Sequence, residues 1–173
     1  DRLHELTTPA LVVHGDAEAG AALVEHPDVR VVAFTGSTAP GTHLAERCGA
    51  LNKKGSLEMR GKNAVIIMDD ADLDLALDGV LWGAFGTTGQ RCTATSRLIL
   101  HAPIHDRFLD MLSERARSLR IGAGLEADTQ MGPVINQRQC DKILGYIRIG
   151  QEEGARLVIG GNRLTSGNFA HGY

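Results

Sequence analysis

Short runs of β-forming apolar residues alternate along this chain with segments whose apolar residues recur every three or four positions, and that alternation most restricts the fold. Strands linked by helices pair in parallel, because a helical crossover returns the chain to the same end of the sheet. The expected class is therefore α/β with largely parallel sheets. Ala10–His14 reads as a first strand, and a helical pattern follows through Ala21, Ala22 and Val24. Beyond the breaker His26-Pro27-Asp28, Val29–Phe34 reads as a second, buried strand, and a helix runs from about Ala39 to Leu51. Pro40 is acceptable in its first turn, where the amide hydrogen it lacks would have no intrahelical acceptor. Ser56–Met59 and Ala64–Met68 are two further β-type segments. Leu73, Ala76, Leu77, Val80, Leu81, Ala84 and Phe85 then mark a helix with one buried face. A strand at Ser96–Leu100 and a helix from Phe108 to Leu119 come next. A loop from Gly122 through Pro133, a helix at Arg138–Glu153 and a short strand at Arg156–Ile159 complete the pattern.

Composition narrows the classes of function. The 173 residues are 43% hydrophobic with a formal net charge of −3, enough apolar material for a core and no basic excess for nucleic acid or an anionic membrane. The longest apolar run, Ala64 to Met68, falls far short of the roughly 20 residues that cross a bilayer, and no signal segment opens the chain; the expected compartment is the cytoplasm. Cys48, Cys92 and Cys140 form no Cys-x-x-Cys pair, which argues for reduced thiols rather than disulfides or a zinc site. The start at Asp1 without methionine and the stop in a Gly- and Asn-rich stretch lead us to expect an internal segment of a longer protein.

Few residues have the surroundings that chemistry needs. A free cysteine is commonly a small buried hydrophobe. Cys48 and Cys140 fit that role within amphipathic helical patterns, whereas Cys92 lies past a glycine-bounded turn between Gln90-Arg91 and Thr93, a poor composition for a core. Thr35-Gly36-Ser37-Thr38 joins a strand to a helix, where backbone amides and a hydroxyl can receive an anion, although Ser37 is equally an ordinary helix cap. Glu58 stands in a β-type segment and either points to solvent or is held for use. Asp69, Asp70 and Asp72 lack the pattern of a calcium loop and are read as caps of the helix that follows; the histidines show no ligand spacing, so no metal is expected.

Taken together these segments resemble the aldehyde dehydrogenase superfamily over nearly the whole chain. Phe34-Thr-Gly-Ser-Thr38 is similar to the family's cofactor loop, Leu57-Glu-Met-Arg-Gly-Lys-Asn63 to its general-base motif, and Gly89-Gln-Arg-Cys-Thr-Ala94 to its nucleophile motif. Asp70-Ala-Asp-Leu-Asp74, Met131-Gly-Pro133, and Glu153-Gly-Ala155 with Gly160-Gly161 also fall in the family's order. The resemblance implies the end of a Rossmann-like dinucleotide-binding domain over residues 1–60 and the start of an α/β catalytic domain over 61–173. It implies NAD or NADP near Gly36 and Ser37, an aldehyde substrate, a homo-oligomeric whole protein, Cys92 as nucleophile and Glu58 as general base.

In that scheme Cys92 forms a thiohemiacetal, hydride leaves, and Glu58 helps hydrolyse the thioester. The asparagine that assists the oxyanion and the lysine and glutamate that bind phosphate and ribose would precede Asp1. A second glutamate would follow the chain, and the oligomerisation segment would follow or flank it. Residues 1–173 alone are therefore expected to be inactive and poorly folded. Arg60 stands where the family usually has the first of two glycines, and a guanidinium there would crowd the cofactor or pair with Glu58 and lower its basicity. Pro40 and Gly55 replace residues that are more often aliphatic. Three other readings compete. A catalytically silent, structural or binding relative is one. Transfer of the acyl group to coenzyme A is another, less favoured because Glu58 supplies a base for hydrolysis. A cysteine hydrolase would need a histidine partner that no motif supplies.

Overall fold

The computed structural model describes residues 11–173, and the chain divides between Arg60 and Gly61 into two compact units. Each is described by itself.

In the first unit, α1 (Ala17–Glu25), β1 (Val31–Gly36), α2 (Thr38–Ala50) and β2 (Lys54–Met59) follow in order, and β1 pairs with β2 in parallel. The register sets Phe34 beside Leu57, Thr35 beside Glu58 and Gly36 beside Met59. Helix α2 lies against the face that carries Phe34 and Met59. Any side chain at Gly41 would come within 2.5 Å of the Met59 Sδ and 3.3 Å of the Phe34 ring, so the missing Cβ lets helix and strands meet. Cys48, buried in the same helix, is the small hydrophobe expected of it. Alternation along β1 follows: Val32, Phe34 and Gly36 are partly covered while Val31, Ala33 and Thr35 are exposed. The fully buried strand expected from its apolar run is thus a one-sided strand, because this unit supplies helices to one face only. Lys53 Nζ donates to the carbonyls of Val24 and His26 at the end of α1, and Arg47 forms a bidentate pair with Glu25, which ties α1 to α2.

The second unit holds β3 (Asn63–Ile67), α3 (Leu73–Phe85), β4 (Thr95–Leu100), α4 (His105–Arg117) and α5 (Gln137–Glu152), with β3 and β4 parallel. Ile67, Leu77, Val80, Ile104 and Phe108 form its buried cluster, flanked by Val65, Leu98 and Met111. This is where the three- and four-residue periods of α3 and α4 converge on one strand face. Asp72 caps α3 by accepting from the amides of Asp74 and Leu75 at 3.1 Å, the role read from the sequence. Cys140 is buried on α5.

Two expected strands are absent. Residues 11–14 form none, with Ala10 outside the described residues, and residues 156–159 form none. Leu11 and Val12 are 87% and 80% exposed. β-branched residues make a strand only beside a partner, and neither segment has one among the described residues. No helix among the described residues is long and apolar enough to cross a membrane.

Candidate active site

The two motifs of the first unit finish side by side. Because β1 and β2 run in parallel, Gly36 and Glu58 both lie at their carboxyl ends, the edge at which open α/β sheets bind ligands. A Cβ on Gly36 would run into the ring of Phe34, which would have to shift, so glycine lets the ring lie against the chain where the strand turns into α2. Ser37 occupies the N-cap position of α2, yet its side chain makes no cap bond. Pro40, three residues on, has no amide hydrogen and removes one of the two amides from which such a side chain can accept. The Ser37 hydroxyl and the first amides of α2 therefore face outward uncommitted, which fits an anionic group. Glu58 is exposed on the sheet face opposite α2. Arg60, also exposed, forms no ion pair with Glu58 among the described residues, so the pairing considered from the sequence does not occur.

Beside this edge lies a groove of about 470 Å3 between α1, α2 and β1. Ala17, Gly20 and Ala21 line it from one helix and Pro40, His43 and Leu44 from the other. Both sets are spaced as one helix face, three and then one residue apart. Sequence reasoning passed over them; the signal was two matching stripes, the first of small residues.

In the second unit Cys92 is exposed while the other two cysteines are buried. It follows a turn, Gly86–Gly89, whose Thr87 and Thr88 have φ of 53° and 58°. That is left-handed backbone, which costs a β-branched residue on the order of 1–3 kcal/mol and persists only where neighbours over-determine it. The neighbours are identifiable. Thr88 Oγ1 donates to the Gly132 carbonyl at 2.9 Å; Gln90 Oε1 accepts from the Ile135 amide at 3.0 Å and its Nε2 donates to the Pro133 carbonyl at 3.4 Å. Met131-Gly-Pro133 is thus the strap behind the turn that leads to Cys92. Arg91 donates to the Trp82 and Gly83 carbonyls at 3.0 and 3.4 Å and lies over the Trp82 ring, 4.9 Å from its centroid. Its charge serves the end of α3. Beyond the cysteine, Asn63 Nδ2 donates to the Cys92 carbonyl at 2.7 Å and reaches the Ala94 carbonyl at 3.4 Å. The Cys92 amide has no backbone acceptor among the described residues. Motif spacing marked Gln90, Asn63 and Gly132 as neighbours of chemistry but could not show which backbone atoms they hold.

The comparisons with known proteins agree with one another. The model of the aldehyde dehydrogenase family matches residues 6–173. The chain is 44% identical over 163 residues to an alpha-ketoglutaric semialdehyde dehydrogenase of Bacillus subtilis and 40% identical over 162 residues to a betaine aldehyde dehydrogenase of Mesorhizobium japonicum. Each alignment takes in 94% of this chain and 33% of the relative, so the chain spans about a third of the length of the curated relatives it matches. Among solved structures, betaine aldehyde dehydrogenase from Staphylococcus aureus in complex with NAD+ superposes with a TM-score of 0.88 at 35% identity, over 93% of this chain and 32% of that one. The α/β elements described above therefore have the fold of that enzyme, and the chain belongs to the aldehyde dehydrogenase family.

Proposed function

We propose that the protein carrying these residues oxidises an aldehyde or semialdehyde to the carboxylic acid with NAD or NADP, with Cys92 as nucleophile and Glu58 as general base. One observation carries the reading above the others: of three cysteines, the exposed one sits in the family's nucleophile motif, on a turn strapped from several sides. The activities by which the relatives are named, on a semialdehyde and on betaine aldehyde, support an aldehyde as substrate. Residues 1–60 would then be the end of the dinucleotide-binding domain and 61–173 the start of the catalytic domain.

The residues present fit the cofactor. Gly36 and Ser37, with the first amides of α2, would receive phosphate or ribose oxygens, and the apolar groove between α1 and α2 has the volume and lining for a flat heterocycle. When bound, the nicotinamide supplies the acceptor for the hydride that leaves the substrate carbon. The chain's own residues do the remainder. The Cys92 thiolate adds to the carbonyl carbon and converts it to a tetrahedral thiohemiacetal; its oxygen carries the negative charge that the unpaired Cys92 amide would stabilise. Covalent attachment matters because a free aldehyde has no such oxygen to drive hydride departure. The thioester that remains on Cys92 is opened by water, from which Glu58 takes a proton as the hydroxide equivalent attacks.

Stopped-flow measurement of reduced cofactor on the whole protein tests this. Cys92→Ala is expected to abolish reduction. Glu58→Gln is expected to keep a first burst near one equivalent while later turnovers slow by about 10²–10⁴-fold. Sustained turnover by the alanine variant would sink the reading.

A further inference from the structure

The nucleophile turn has several anchors before the cysteine and one distinct anchor after it. Thr88, Gln90 and Arg91 hold the approach, each through a side chain on a backbone carbonyl or amide. Past Cys92 the chain enters β4, and there the hold comes from Asn63, at the first position of β3. The ladder slips between the first two pairs: Asn63 stands beside Thr95 but Ala64 stands beside Arg97, so Ser96 is the extra residue of a bulge. Its hydroxyl donates to the Asn63 carbonyl at 3.3 Å. Bulges re-aim the chain next to them. This one accompanies residues 92–94 lying over the Asn63 side chain, where a single amide nitrogen spends both hydrogens on the carbonyls of Cys92 and Ala94.

We propose that Asn63 is a positioning residue for the nucleophile: by fixing the Cys92 carbonyl it sets the peptide plane between Cys92 and Thr93, and through it the direction of the Cα–Cβ bond that carries the sulfur. The inference rests on the reading of Cys92 as nucleophile. Glu58 and Asn63 lie five positions apart on one continuous segment, so the residues that follow the base lead into the strand that aims the thiol. Asn63 is exposed, and water could satisfy its amide equally well; the direction of the bond, rather than the fold, is what its removal would change. A nucleophile displaced by a fraction of an ångström attacks more slowly without binding less.

Asn63→Asp keeps the shape and sets carboxylate oxygens against the two carbonyls, while Asn63→Leu removes the donor without adding charge. Both are measured in the whole protein by the rate of the first hydride burst, the rate of thioester hydrolysis, KM for the cofactor and Tm, with Cys92→Ala alongside. The expected result is a burst slowed about tenfold or more in both variants, with hydrolysis rate, cofactor KM and Tm near the parent values. A parent-like burst in either folded variant overturns the inference, as does a fall in all four quantities together or loss of the fold in both. If Cys92→Ala itself turns over, the functional reading fails first; if it is inert while the Asn63 variants burst normally, the positioning role alone is wrong.

Discussion

The two units are built to the same plan and supported differently. Each has two parallel strands with helices on one face, yet the second gathers Ile67, Leu77, Val80, Ile104 and Phe108 into a continuous buried cluster, while the first buries only Val24, Gly41 and Cys48 among its described residues. The first unit relies on a close helix-to-strand approach at Gly41 and on surface ties from Lys53 and Arg47. Thus the residues that fit a cofactor sit on the thinner body and the cysteine on the better filled one. The proposed roles make different demands: a nucleophilic sulfur needs its direction fixed, whereas a groove between two helices needs only its width.

That contrast is open to a severe test at Phe108, which is fully buried at the centre of the second cluster. Phe108→Ala leaves a cavity that α3 and α4 cannot close, and the expected loss is about 3–5 kcal/mol. Hydrogen exchange on the whole protein should show it as lost amide protection in α3 and α4, with α1 and α2 much less affected. Equal loss in both units would mean that they share one cooperative core, and the contrast would fall.

How much of this was readable from residues alone follows the same division. The cluster was legible, since Leu77, Val80 and Phe108 fall at helical spacing in their segments and Ile67 lies in the longest apolar run. So was the burial of the cysteines, because Cys92, which is exposed, is flanked by polar and glycine residues while the buried Cys48 and Cys140 sit in helical stripes. No strand forms over residues 11–14 or 156–159, because composition records a preference for strands and not the presence of a partner. Thr87 and Thr88 gave no warning of left-handed backbone, being among the residue types least suited to it. The hold of Asn63 on the Cys92 carbonyl was hidden for a third reason. A side chain bonding to backbone across 29 residues leaves no period to detect.

A smaller perturbation sharpens the comparison from the other side. Gly41→Ala would gain up to about 1 kcal/mol in helix propensity, but its Cβ would meet the Met59 Sδ at 2.5 Å and Cγ at 2.9 Å, and overpacking of that kind costs about 1–3 kcal/mol. The net expectation is a loss of about 1–2 kcal/mol in the first unit alone. Met59 neighbours Glu58 and pairs with Gly36, so the same change should weaken NAD+ binding in a calorimetric titration while thiol labelling of Cys92 proceeds at the parent rate. Unchanged NAD+ affinity would show that the width of this contact does not matter to the site.

The smallest effect comes from the tie between α1 and α2. Arg47 donates to both carboxylate oxygens of Glu25 at 2.7 and 2.8 Å. Chiefly through those bonds, and against the opposing effect of desolvation, it holds the Glu25 pKa below its ordinary value. A carboxylate whose pKa is lower in the folded than in the unfolded chain stabilises the fold at neutral pH. Its contribution begins to fade as pH falls through the ordinary glutamate range of about 4.3 and is gone below the folded pKa. Both side chains are substantially exposed, so the effect is modest and screened by salt. Arg47→Met should therefore lower the Tm of the first unit slightly at pH 7, more at low than at high ionic strength, and the difference from the parent should vanish once both are acidified below that window. A difference that persists in acid would assign the loss to the packing of the Arg47 stem along α2 and the groove rather than to the ion pair.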